Sequence, residues 1–150
     1  MGFFSDVFGG GDMDGETGLT AASAVLFERE PSCREIHLVG ESHYQRAIRK
    51  VTGRVGNESL NFDCIGTLVP EPDNEYDENA IGVQIEGEKV GYLSRGDATA
   101  YQKVTQKAER QGKFVAGEAR IGAFDSEDAE TTNAGVVIWL PPPSEAAEAI

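Results

Sequence analysis

The stretch AIGVQIEGEKVGYL, residues 80–93, limits the fold more than any other part of the chain. Apolar and small or polar residues alternate through Ala80-Ile81-Gly82-Val83-Gln84-Ile85 and again through Lys89–Leu93. That is the two-residue period of half-buried strands. Glu86-Gly87 between them reads as a tight hairpin turn. A lone hairpin is marginal in water, so the rest of the chain has to supply more sheet.

Four further segments answer that need. Ile36–Val39, Phe62–Val69, Phe114–Ile121 and Gly135–Leu140 read as strands, with Phe62, Cys64 and Leu68 on one face of the second. Two helices interrupt them. Ser42-His43-Tyr44-Gln45 has the Ser-x-x-Gln pattern of a capping box. Tyr44, Ala47, Ile48 and Val51 then recur on one helical face until Gly53. Ser94-Arg95-Gly96-Asp97 repeats the start signal, followed by Ala98, Tyr101, Val104 and Ala108 and stopped by Gly112. Six strands and two helices predict a mainly β fold, a small antiparallel barrel with helices as covers.

Flanking segments differ in character. Residues 1–34 read as a flexible, Gly- and Asp-rich segment, with a short helix at Ala21–Phe27. Residues 35–140 form the barrel domain, and residues 141–150 a Pro-rich acidic tail that leaves as polyproline. The stretch from Ala123 to Ala134 reads as an exposed acidic loop.

Charge and cysteine usage narrow the function. The net charge of −13 argues against indiscriminate coating of nucleic acid. It is unevenly spread: residues 33–120 hold 14 acids against 12 bases, and the flanks carry most of the excess. Cys33 and Cys64 are too far apart for a C-x-x-C site, and with only His37 and His43 to help they are too few for zinc. Both read as reduced thiols, and no metal or cofactor is expected. No run approaches the roughly 20 apolar residues of a membrane span. The first residues lack the basic and apolar regions of a signal peptide, so the expected location is cytoplasmic.

The run EPDNEYDENA, Glu71 to Ala80, places five carboxylates in ten residues. As a calcium loop starting at Asp73 it fails, because Glu78 stands where Gly is needed and Gln84 where Glu is needed. As a metal nuclease it fails too, since acids on one short loop point apart instead of converging on an ion. Pro72, Asp73, Asn74 and Asn79 are turn formers, and Glu71, Asp73, Glu75 and Glu78 read as solvated turn residues. Tyr76 in their midst either anchors the loop or offers a flat face to a ligand. Both helix starts carry free N–H groups that suit a phosphate. Arg95 at one is either a surface charge or a phosphate contact, and His43 at the other either faces solvent or meets a ligand.

Together, LVGESHYQRAIRK and LVPEPDNEYDENAIGVQIEGEKVGYLSRGDATAY resemble the HIRAN domain, a family found at the N-terminus of helicase-like repair translocases and as short stand-alone bacterial proteins. The resemblance spans roughly residues 35–140. It implies an OB-like barrel that binds single-stranded DNA at a 3′-hydroxyl end. Carried onto this chain, Tyr76 would lie against the terminal nucleotide and Asp77 would accept a hydrogen bond from the 3′-OH. Tyr92 falls where eukaryotic members have a His, and Arg95 on a phosphate-contacting Lys. Ser42 and His43 fall on an Arg-Tyr pair, the main departure. No G-x-x-x-x-G-K-[ST] is present, so the resemblance carries no ATPase.

The leading expectation is a non-enzymatic module for single-stranded DNA 3′ ends in repair or stalled-fork processing, without catalytic residues. A small positive patch is expected around Arg95, with Arg46 or Arg49 nearby. A second reading is a protein-interaction module that engages a partner through Phe3, Phe4 and Phe8 or the acidic tail. A hydrolase using Asp77 with His43 lacks a visible nucleophile or oxyanion site.

Overall fold

The computed structural model describes residues 23–53, 61–123 and 134–150. Phe3, Phe4 and Phe8 and the acidic stretch 124–133 lie outside the described residues. Seven strands form one sheet: β1 (Ala24–Phe27), β2 (Arg34–His37), β3 (Asn61–Pro70), β4 (Ile81–Ile85), β5 (Glu88–Tyr92), β6 (Phe114–Ala123) and β7 (Ala134–Leu140). Three α-helices accompany them: α1 (Gln45–Thr52), α2 (Arg95–Arg110) and α3 (Pro143–Glu148). All six expected strands are present, and so are the two expected helices.

Along the main path the order is β2-β7-β6-β3-β4-β5, antiparallel throughout. The path curls until its ends meet. Just past β2, Val39 and Tyr92 at the end of β5 exchange backbone hydrogen bonds of 2.8 and 2.9 Å. Gly91 permits that approach, because a Cβ there would stand 3.1 Å from the Val39 carbonyl oxygen and 3.3 Å from Leu38 Cβ. The result is the small OB-like antiparallel barrel expected from the sequence.

Inside lie Leu68, Ile81, Val83, Ile85, Val90, Val115, Ile121 and Ile138, all essentially inaccessible to solvent. Ile48 of α1 and Tyr101, Val104 and Ala108 of α2 join this cluster, so the two apolar helix faces read from the sequence cover the barrel. Cys64 belongs to it as well, and burial pushes its thiol up to about 12. Among the described residues no helix is long and apolar enough to cross a membrane.

Three local expectations are corrected. Ala24–Phe27, expected within a short helix, is strand β1. Along one edge β6 pairs with β1 from Phe114 to Gly117 and with β7 from Ala119 to Ala123. β7 pairs with β6 no further than Ile138, while its other edge pairs with β2 from Val137 to Leu140, and Ala24 to Phe27 fill the vacated edge of β6 in parallel. The sheet therefore begins before residue 35. The tail does not leave as polyproline. Pro143 occupies the first turn of α3, where a missing N–H costs nothing. Ala146 is buried in the core cluster, and Lys107 Nζ of α2 donates to the Ala147 carbonyl at 2.5 Å.

The third correction concerns helix starts. Ser94 caps α2, its Oγ accepting from the Asp97 N–H at 3.2 Å. Ser42 caps nothing: it sits in a 3-10 turn, Glu41–His43, and α1 opens at Gln45 without a side-chain cap. Gln45 instead ties three backbone groups. Its Nε2 donates to the Glu41 and Ala134 carbonyls, and its Oε1 accepts from the Ala134 N–H. Closing the barrel at Val39 forces an immediate turn through Gly40 (φ 78°), which consumes the residues the capping box would need.

Candidate nucleic-acid interface

The β4–β5 hairpin carries an irregularity that builds the site. Its turn, Glu86-Gly87, has positive φ at both residues, as a tight two-residue hairpin requires. Gly82 pairs with Tyr92 and Val83 with Gly91, but Gln84 pairs with Lys89, so β5 bulges by one residue at Val90. Lys89 and Tyr92, three apart, would point to opposite faces of a regular strand. The bulge puts them on one face, and Lys89 Nζ reaches Tyr92 Oη at 2.9 Å.

On that face lies Glu71. Its Oε2 meets Lys89 Nζ at 2.5 Å, and its Oε1 accepts from Tyr92 Oη at 2.9 Å and from Asn74 Nδ2 at 3.1 Å. Gly82 leaves room for this carboxylate, since a Cβ there would stand 2.8 Å from Oε2. Burial alone would push the Glu71 carboxyl up. The hydrogen bonds from Lys89, Asn74 and Tyr92 and the Lys89 charge outweigh it and hold the group below the usual carboxylate range. Lys89 is raised in return: burial would lower it, but Glu71 and Tyr92 dominate. Burial raises the Tyr92 phenol, against the pull of Lys89. Glu71, read from the sequence as a solvated turn acid, is thus the structural acid of the run.

Asn74 carries the network up to the crest of the loop. Its Oδ1 accepts from the N–H groups of Tyr76 and Asp77 at 2.9 and 3.1 Å. Asp77 Oδ1 accepts from the Asn79 N–H at 2.9 Å, and Oδ2 has no protein partner among the described residues. Tyr76 is 84 % exposed, which excludes the anchoring role that the sequence left open. Arg95, exposed at the first turn of α2, donates from Nη2 to the Tyr76 carbonyl at 3.4 Å. Gln102 Nε2 donates to the Asn79 carbonyl at 2.6 Å and pins the far side of the loop to α2.

Tyr76, Asp77 and Arg95 are therefore brought together directly, and Tyr92 joins them through Glu71 and Asn74. Ser42 and His43 are exposed in their 3-10 turn. Next to them in the chain is Tyr44, whose ring lies 6.2 Å from that of Tyr92. Asp73, Glu75 and Glu78 are exposed turn acids, as expected.

This arrangement can do definite chemistry. It offers an accessible aromatic face, a carboxylate oxygen able to accept a hydrogen bond and a guanidinium able to grip a phosphate. A family model described as the HIRAN domain matches residues 12–133, most of the chain. The chain belongs to the HIRAN domain family.

HIRAN domains are nucleic-acid-binding modules. Among solved structures, the crystal structure of the HIRAN domain of human HLTF is 20% identical, with 79% of this chain and 82% of that chain covered and a TM-score of 0.39. The NMR structure of the HLTF HIRAN domain is 23% identical, covering 79% and 85%, with a TM-score of 0.36. A Lactobacillus plantarum protein is 18% identical, covering 71% and 93%, with a TM-score of 0.37. At these scores the overlaps add nothing to the family match. No curated protein matches the chain.

Sequence reasoning missed Glu71, Asn74, Lys89 and Tyr44 as parts of this HIRAN surface. Asn74 was readable as a turn former, but its acceptor role for two successive N–H groups depends on where the loop crest lies. Lys89 and Tyr92 look unrelated at a spacing of three unless the bulge is known.

Proposed function

We propose that this HIRAN protein binds the 3′-hydroxyl end of single-stranded DNA at the crest of the 71–80 loop, as a non-catalytic module in repair or stalled-fork processing. One observation carries the reading: Tyr76 is exposed at a crest whose N–H groups Asn74 holds, Arg95 donates to the Tyr76 carbonyl, and Asp77 Oδ2 has no partner among the described residues. In this reading Tyr76 stacks on the terminal base, a contact worth about 1–3 kcal/mol. Asp77 Oδ2 accepts from the 3′-OH. Arg95 holds the adjoining phosphate.

Tyr92 has a different part. Its phenol is committed to Glu71 and Lys89, so it walls the site and supports the loop instead of bonding the ligand. Ser42 and His43 stand at the outer margin, beyond Tyr44. A carboxylate at the end position repels a 3′-phosphate and accepts from a free hydroxyl, which makes the site selective for the end chemistry. Few phosphates are neutralised, so an acidic protein can sustain this mode.

The test is a titration of a labelled oligonucleotide ending in 3′-OH, and of its 3′-phosphate twin, against the protein and Asp77→Asn. The 3′-OH strand should bind the native protein at least tenfold more tightly than its twin, roughly the value of one charge-assisted hydrogen bond. The variant should lose most of that preference. Equal binding in all four pairings would exclude end recognition.

A further inference from the structure

The outer face of α1 stands out electrically in a chain of net charge −13. Arg46 and Arg49 are both exposed, one turn apart on the side of the helix opposite Ile48. Neither guanidinium has a hydrogen-bond or ion-pair partner among the described residues. Other bases of the region are committed: Lys89 to Glu71, and Lys50 to Glu88 at 2.5 Å.

The position of α1 gives these two charges a direction. It lies along β5 and antiparallel to it. At one end Tyr44 sits against Tyr92, and at the other Lys50 meets Glu88. The helix therefore starts beside the wall of the 71–80 site and runs away from it. His43, exposed, stands one turn before Arg46 at the end nearer the site.

We infer that Arg46 and Arg49 hold backbone phosphates of the nucleotides 5′ of the bound end, so that the strand leaves the site over α1. The inference rests on the end-binding reading, to which it adds the path and polarity of the strand. Arginine suits the task because its planar donor fork matches a phosphate and its charge does not titrate in the working range. Two contacts of this kind fix where the strand goes without reading its bases.

The experiment is a length series. Thymidine oligonucleotides of two to eight nucleotides with a free 3′-OH are titrated against the native protein and the double variant Arg46→Gln, Arg49→Gln, at several salt concentrations. Native affinity should rise with length and then level off. For the longer strands the native salt slope should exceed that of the variant by roughly 1.4, from two phosphates at about 0.7 each. The variant should bind long strands no better than the shortest, while keeping its preference for 3′-OH over 3′-phosphate.

A variant that keeps the native length dependence overturns the track and leaves the end site standing. Loss of length dependence in the variant without any end preference in the native protein removes the end site and the polarity with it, which overturns the inference and leaves Arg46 and Arg49 as phosphate contacts without a fixed strand direction. No binding by the native protein removes both. Arg-dependent binding of a hexaglutamate peptide without any oligonucleotide length effect would assign the ridge to an acidic protein segment and overturn the inference.

Discussion

The two levels of the 71–80 loop use the same kinds of side chain to opposite ends. At its base, Glu71 is enclosed by Lys89, Tyr92 and Asn74, and every partner is satisfied. At its crest, Tyr76 stands almost fully in solvent and Asp77 keeps one oxygen without a partner among the described residues. A carboxylate and a tyrosine appear at each level. At the base they maintain the shape of the loop, and at the crest they are left available. On the proposed reading, stability and recognition are thus divided between two levels of one loop, with Asn74 as the link.

Substitutions can break that separation. Lys89→Met should have the largest effect, since it leaves a mostly buried carboxylate without its cation. Unfolding in urea should show a loss of about 2–3 kcal/mol. The pH profile should change with it. Because folded Glu71 ionises more readily than in the unfolded chain, its contribution is complete above the ordinary carboxylate range and drains away as pH falls through its depressed value. Folded Lys89 holds its proton beyond the ordinary lysine range, so its share persists through neutral pH and is lost only as pH rises past that raised value. Lys89→Met should therefore flatten the acid limb of stability, and an unchanged limb would show that the pair is not coupled to folding.

Tyr76→Ala probes the other level. Stability should stay within about 0.5 kcal/mol, because the side chain is exposed. Affinity for a 3′-OH oligonucleotide should fall by about 1–2 kcal/mol, roughly 5- to 30-fold. A matching drop in stability would mean that the ring packs after all. Asn74→Ala should have the smallest effect, and it should touch both levels. It removes the acceptor for two N–H groups and a donor to Glu71, for a loss of about 1 kcal/mol in stability. Oligonucleotide affinity should weaken in parallel, because the crest loses its support.

Much of the fold was legible, since six strands and two helix faces follow from period alone. What escaped has physical causes. β1 is a four-residue parallel strand that exists because β7 leaves an edge of β6 open. Nothing local in Ala24–Phe27 announces it. Ser42 and Ser94 carry similar start signals, yet only Ser94 caps, because barrel closure claims the chain around Gly40 first. Of the site, Tyr76 and Arg95 stood out from the loop and the helix start with two readings each, and Asp77 and Tyr92 came through family resemblance. Glu71 could not be told from Asp73 or Glu75 by composition, since only the bulge at Val90 sets Lys89 and Tyr92 beneath it.

Tyr92 is also the clasp of the barrel. Its paired main-chain bonds with Val39 join the last strand of the path to the chain beyond the first, and they bring together residues far apart in sequence. Such a joint is entropically expensive and belongs among the later steps of assembly. A chain still open at that seam has Tyr92 on a free strand edge, away from Tyr44, and no finished wall for a ligand to meet. On the proposed reading, a ligand that needs the wall draws the population toward the sealed ring by mass action.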